Sequence, residues 1–249
     1  MFVLRVLHST HLPTTVTCGS HYCVVYAAST HLCAVIRPHD GKQLTAPILI
    51  HALEEGYGLS TPLAHFLVYG GICLLGQVGA FCLKDLARHN RIEHDASLVH
   101  NDTKGRDEYA PISPDLSLVQ KLMLQAKDGR DLTAEDIARA RVERESKCPV
   151  LNGLHSEIAR GEMAIVLGVF GQGNADHHQG VPLDMLHEWL VEERLPDGWK
   201  PTHTLGLLQT IHSAWEIRDL MSTFKEEVAD NVRNEPDGFK LEIPPMSWH

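Results

Sequence analysis

Basic side chains are scarce: 22 Lys and Arg stand against 32 Asp and Glu, a formal net charge of −10 over 249 residues. A phosphate backbone is held by a positive surface, so nucleic acid is excluded as the main partner. Long apolar runs are missing as well. Met163 to Phe170 covers eight residues and Phe66 to Leu75 ten, against the roughly 20 a helix needs to cross a bilayer, so no membrane span is expected. The N-terminus reads Met-Phe-Val-Leu-Arg-Val-Leu and then turns polar, without the basic start, long apolar stretch and small-residue cleavage site of a secretory signal. The six cysteines are scattered at 18, 23, 33, 73, 82 and 148 with no Cys-x-x-Cys pair, which excludes a disulfide scaffold and a paired-thiol zinc or redox site. Internal repeats and low-complexity tracts are absent, and strand-like alternation is nearly so.

What is present is an ordinary globular composition, 43% hydrophobic and 22% charged, long enough for a sizeable core. Helical spacing dominates. Thr45 opens a helix that stops at Gly56, and Ser60-Thr61-Pro62 starts another with Pro in its first turn. Residues 63–75 are apolar nearly all round, which reads as a buried helix. Thr133-Ala-Glu-Asp136 is a capping-box variant heading an Arg-rich helix to about Ser146. A helix after Cys148-Pro149 carries Leu151, Leu154, Ile158, Ile165 and Val169 on one stripe, another runs from Val181-Pro182 through Leu190, and a long one covers about 203–230. The expectation is a single all-α domain of about eight short helices over 35–235, with loops at 100–114 and 171–180. Residues 1–34 follow no period and form an atypical N-terminal segment, and 236–249 form a tail.

Seventeen histidines raise the prior for metal or acid/base chemistry. The densest constellation is Glu93-His94-Asp95-Ala-Ser97. Two carboxylates, an imidazole and a hydroxyl offer hard oxygen ligands to a divalent cation such as Mg²⁺ and leave the imidazole free for proton work. On a helix, Glu93 and Ser97 would share a face; the bland alternative is a solvated polar helix end. The second constellation is Gly161-Glu162. Glu162 continues the stripe through Leu154 and Ile158, so a carboxyl occupies a line otherwise kept for apolar side chains. Desolvation there would raise its pKa toward neutrality, which suits a group that accepts and returns a proton. The alternative is a Glu at the stripe's edge paired with Arg160. The pair His177-His178 reads as solvated loop residues, and Trp199 as a core anchor.

With Ile36-Arg-Pro-His-Asp-Gly41, Val169-Phe-Gly171, Glu193-Arg-Leu-Pro196 and Gly198-Trp199, these segments resemble the heme-thiolate peroxidase family of chloroperoxidases and fungal unspecific peroxygenases over about 36–220. The resemblance implies a helical domain enclosing heme b, hydrogen peroxide and small organic molecules as substrates, halide as a further one, and secretion. It implies that Glu162 is the distal acid/base and that His94 orients it by a hydrogen bond. Glu93 and Ser97, with the His94 backbone carbonyl and a heme propionate, would hold Mg²⁺, and Asp95 would be structural.

One part of the family pattern is missing. The axial ligand comes from a Pro-Cys-Pro motif about thirteen residues before the turn proline, and that count from Pro38 lands on Val25. Cys23 and Cys33 are the nearest thiols. Two readings follow: residues 1–34 are a mistranslated stretch that replaces the true start, or the chain is a variant that has lost its ligand or uses Cys23 or Cys33 in a shifted register. Cys148-Pro-Val-Leu-Asn152 looks like the missing motif but stands after the Glu-His-Asp box, and reads as a structural cysteine. Beside the peroxidase stand a non-catalytic relic, acting as scaffold or small-molecule binder, and a heme-free metal hydrolase, which would need further convergent ligands that no second motif supplies.

Overall fold

The computed structural model describes residues 42–172 and 180–234. The 1–34 segment with Cys23 and Cys33, the turn at 36–41, His177, His178 and the tail at 236–249 lie outside the described residues. Helices α1 (Ala46–Tyr57) and α2 (Thr61–Leu75) each carry Pro in the first turn and end at a left-handed glycine, Gly58 (φ 68°) and Gly76 (φ 64°). Gly58, rather than Gly56, stops α1. A Cβ at Gly58 would come within 2.6 Å of both the His203 carbonyl oxygen and Pro201 Cβ, so this turn has no room for a side chain.

A 3₁₀ turn (Leu83–Ala87) leads into a long loop and then α3 (Leu116–Met123), whose Asp115 cap accepts the Ser117 and Leu118 N–H groups. Helix α4 (Ala134–Glu145) begins at the capping box of Thr133 and Asp136, and α5 (Gly153–Phe170) at an Asn152 cap that accepts from the His155 N–H. Helix α6 (Leu183–Leu190) and the long α7 (Leu207–Asn234) complete the described chain. Strands β1 (Asp131–Leu132) and β2 (Val181–Pro182) form a two-residue antiparallel ribbon, too short to show alternation in sequence. Among the described residues there are thus seven α-helices, one 3₁₀ turn and this ribbon, the mostly helical domain expected. No described helix is long and apolar enough to cross a membrane.

Helix α7 begins at Leu207 rather than about 203 because the chain before it is bound elsewhere. The Leu205 N–H donates to the Gly58 carbonyl at 2.9 Å, and the Leu205 carbonyl accepts from the Ser60 N–H at 2.9 Å. Helix α7 packs on α4 and α5, and α1 on α2. Between them Phe170 meets Tyr57 edge-on at 6.2 Å and stacks at a tilt with Trp189 (4.9 Å) and Trp199 (5.1 Å). Trp199 Nε1 donates to the Gly56 carbonyl at 2.9 Å.

The expectation of a buried helix over 63–75 needs correction. Leu63, Ala64, Val68 and Leu75 of α2 are buried, but Phe66 is 60% and Tyr69 52% exposed. The remaining apolar face of α2 lines a cavity instead of entering the core.

Candidate functional site

The Glu93–Ser97 box lies on a loop, not a helix, so the helical-face argument for Glu93 and Ser97 does not apply. Asn90 (φ 60°) and Ala96 (φ 61°) are left-handed without being glycine. For Ala96, whose side chain cannot compensate by hydrogen bonding, this costs roughly 1 kcal/mol. The surroundings hold it there. The Ala96 N–H donates to Asp102 Oδ1 at 2.7 Å, its carbonyl accepts from Arg141 Nη1 at 2.8 Å, and the Ser97 carbonyl accepts from Arg144 Nε at 2.9 Å.

Each member of the box meets a different partner. Glu93 Oε2 lies 2.9 Å from His89 Nδ1; burial pushes its carboxyl pKa up, against the pull of His89. Ser97 Oγ accepts from the N–H groups of Val99 (3.3 Å) and His100 (3.2 Å) and meets His100 Nδ1 at 3.2 Å. Asp95 Oδ1 accepts from the Thr103 N–H at 3.3 Å. Among the described residues no three His, Cys, Asp or Glu side chains converge as a metal site. Glu93 and Ser97 each face a different histidine, His89 and His100.

His94 turns the other way. Its Nδ1–H donates to the Asp95 carbonyl at 2.7 Å, since a carbonyl can only accept. Its Nε2 stands 3.6 Å from Glu162 Oε2, just outside hydrogen-bond reach, and has no hydrogen-bond partner among the described residues. The ring is 2% exposed. Burial first, with the charges of Arg141 and His155 adding to it, pushes its pKa down to about 3, so the imidazole is neutral. The Nε2 lone pair therefore faces the carboxyl group. Arg160, the alternative partner for Glu162 in sequence, instead donates to Glu157 at 2.6 Å.

Glu162 borders two cavities. On one side is an apolar chamber of about 540 Å³ lined by α2, α5 and α7, including Phe66, Ile72, Ile158, Glu162, Ile165 and Trp215. The stripe Leu154, Ile158, Glu162 and Ile165 forms one of its walls. On the other side is a space of about 40 Å³ lined by His94, Ser97, Arg141 and Trp189 among others, large enough for a water. The chamber's apolar lining would suit an apolar macrocycle such as the resemblance implies. Three of its lining residues are Gly70, Gly71 and Gly161, and at Gly70 and Gly161 an added Cβ would meet nothing within 4 Å. Cys73, exposed, is the thiol among the described residues that lines this chamber.

Sequence reasoning missed several supporting residues. His155 is buried, its ring 6.1 Å from that of His94, with Nε2 donating to the Arg91 carbonyl at 3.2 Å. Its only signal was its place three residues after the Asn152 cap. Arg141, Arg144 and Asp102 carried no signal as site residues. Cys148 is no ready ligand: its Sγ contacts Arg144 Nη1, and burial, with Asp102 nearby, pushes its pKa up to about 11.

An imidazole behind a carboxyl group that borders an apolar chamber is an arrangement that can hold and move a proton in a water-poor site. Residues 36–204 match the family described as peroxidase, family 2, and the chain belongs to that family of heme peroxidases. No curated protein matches it.

Proposed function

We propose that the chain is a heme-dependent peroxidase that uses hydrogen peroxide to oxidise, oxygenate or halogenate small organic molecules, with Glu162 as its acid/base, and that it acts outside the cell. The observation that carries this reading is the placement of Glu162, with the apolar chamber on one side and His94 Nε2 3.6 Å away on the other. Apolar walls on α2, α5 and α7 would hold the macrocycle, and Cys23 or Cys33 would supply the thiolate. Heme b bound there would supply the oxidising equivalents drawn from peroxide. Glu162 takes a proton from hydrogen peroxide and returns it to the outer oxygen, so that water rather than hydroxide leaves. His94, fixed 3.6 Å from Oε2, stands behind the carboxyl group and leaves its other side to the chamber. Apolar neighbours keep bulk water away from the proton being moved.

The test is an absorption spectrum of protein produced with heme available, before and after reduction under carbon monoxide, together with Glu162→Gln. A strongly red-shifted Soret band and loss of peroxide turnover in Glu162→Gln at unchanged heme content are expected. Turnover that survives in Glu162→Gln removes Glu162 from the mechanism. Failure to bind heme at all favours the second reading, a helical scaffold or binder that has lost its axial cysteine, for which the missing Pro-Cys-Pro run speaks.

A further inference from the structure

Among the described residues, no Lys, Arg or His lines the chamber beside Glu162. The charged groups in its wall are two carboxylates, Glu157 and Glu162, and the Thr210 hydroxyl gives its proton to the Gly206 carbonyl at 3.0 Å. A molecule seated here by its apolar body must therefore keep any carboxylate of its own outside the wall, since an unpaired charge is not tolerated in apolar surroundings. Most cations close in sequence to the lining residues are engaged already. Arg160 donates to Glu157 at 2.6 Å, Arg88 pairs with Glu108 at 3.4 Å, and Arg218 donates to Asp219 at 3.2 Å. Lys84 Nζ stands 4.4 Å from the centre of the Tyr109 ring. Arg91 differs: it is exposed, and no hydrogen bond or ion pair holds its guanidinium among the described residues. Its backbone, by contrast, is fixed at the rim. The Arg91 carbonyl accepts from His155 Nε2 at 3.2 Å, beside the lining residue Leu154 on α5. The next residue, Ile92, lines the chamber against α2, so close that a Cβ at Gly71 would stand 3.1 Å from its Cδ1.

We infer that Arg91 is the anchor for the carboxylate of a ligand whose apolar body fills the chamber. A guanidinium takes a carboxylate through two parallel N–H donors. With its main chain held and its side chain unengaged, Arg91 meets that group at the rim without giving up another partner. Two sources carry this chemistry: a propionate of the heme macrocycle, and a long-chain carboxylic acid. The first rests on the reading of the chamber as the heme site; the second does not. Arg91 is given no part in moving protons.

The experiment titrates the full chain with hemin, followed at the Soret band, and with hemin dimethyl ester, the same macrocycle with both carboxylates masked. Dodecanoate and dodecanol, competing against Nile red, form the second matched pair. Arg91→Gln is expected to leave the unfolding midpoint unchanged, because the side chain is exposed and holds nothing. It should weaken at least one of the two carboxylates by about fivefold to tenfold and leave the ester and the alcohol within about twofold. Arg91→Lys should restore part of the affinity, and about 1 M salt should shrink the wild-type advantage. A loss for hemin alone assigns the anchor to the propionate, and a loss for dodecanoate alone assigns it to a carboxylic acid. Equal losses for a carboxylate and its uncharged counterpart overturn the inference, and so does wild-type affinity of Arg91→Gln for both carboxylates. If the wild type takes up no hemin while Arg91→Gln still weakens dodecanoate, the heme reading falls and the anchor stands. If both proteins bind hemin and dodecanoate alike, the anchor falls and the heme reading stands.

Discussion

Arg141 Nη1 donates to the Ala96 carbonyl across 2.8 Å, joining α4 to a left-handed residue 45 positions earlier in the chain. The guanidinium is 2% exposed, and its Nη2 donates to Glu145 at 2.6 Å. Arg141→Ala leaves the buried Ala96 carbonyl without this donor, while Glu145, 18% exposed, keeps Lys225 at 3.9 Å, so the cost is about 1–3 kcal/mol. Urea unfolding is expected to show a clearly lower midpoint. A midpoint equal to that of the wild type would show that the loop keeps its shape without α4.

The chamber predicts opposite results from two substitutions at one position. Gly161 sits inside α5 with open space where a Cβ would be. Gly161→Ala should stabilise the fold by about 0.5–1 kcal/mol through helix propensity alone. Gly161→Leu fills the chamber and should abolish heme uptake, measured by hemin titration at the Soret band, while the far-ultraviolet circular dichroism stays helical. Equal hemin affinity in Gly161→Leu and wild type would place the macrocycle elsewhere.

Cys73 serves as a reporter for the same chamber. It is exposed and lines the chamber wall, so maleimide should label it rapidly in the heme-free protein and slowly once hemin is bound. Labelling that ignores hemin would argue against binding along α2.

Cys148 gives a pH dependence with a defined sign. Its thiol is raised from 9.0 to about 11, so the folded state favours the protonated form. The resulting contribution to stability is fully present below about pH 9 and is lost as pH rises through about 11. Two pKa units also mean about a hundredfold less thiolate in the native protein at pH 8.5. Iodoacetamide should therefore modify Cys148 far more slowly in the native than in the urea-unfolded chain, as read by peptide mass spectrometry.

The parts of this site that were legible in sequence are those set by neighbours along the chain. Thr133 and Asp136 cap α4 within four residues, and Glu162 stood out because a carboxyl group broke an apolar stripe on its own helix. The Glu93–Ser97 box was visible as composition but not as shape. Its loop is held by Arg141 and Arg144, whose donors reach carbonyls 45 and 47 positions away, and no local spacing encodes that. The apolar run of α2 reads as core in sequence because periodicity cannot distinguish a face that meets side chains from one that meets a cavity.

Gly70 and Gly161 leave open space at the chamber wall where a side chain would stand. Such a volume can be altered in methyl-sized steps without moving a helix axis, since each step adds an atom to a wall rather than rearranging one. The size of the space beside Glu162 is therefore adjustable without disturbing the loop that carries His94.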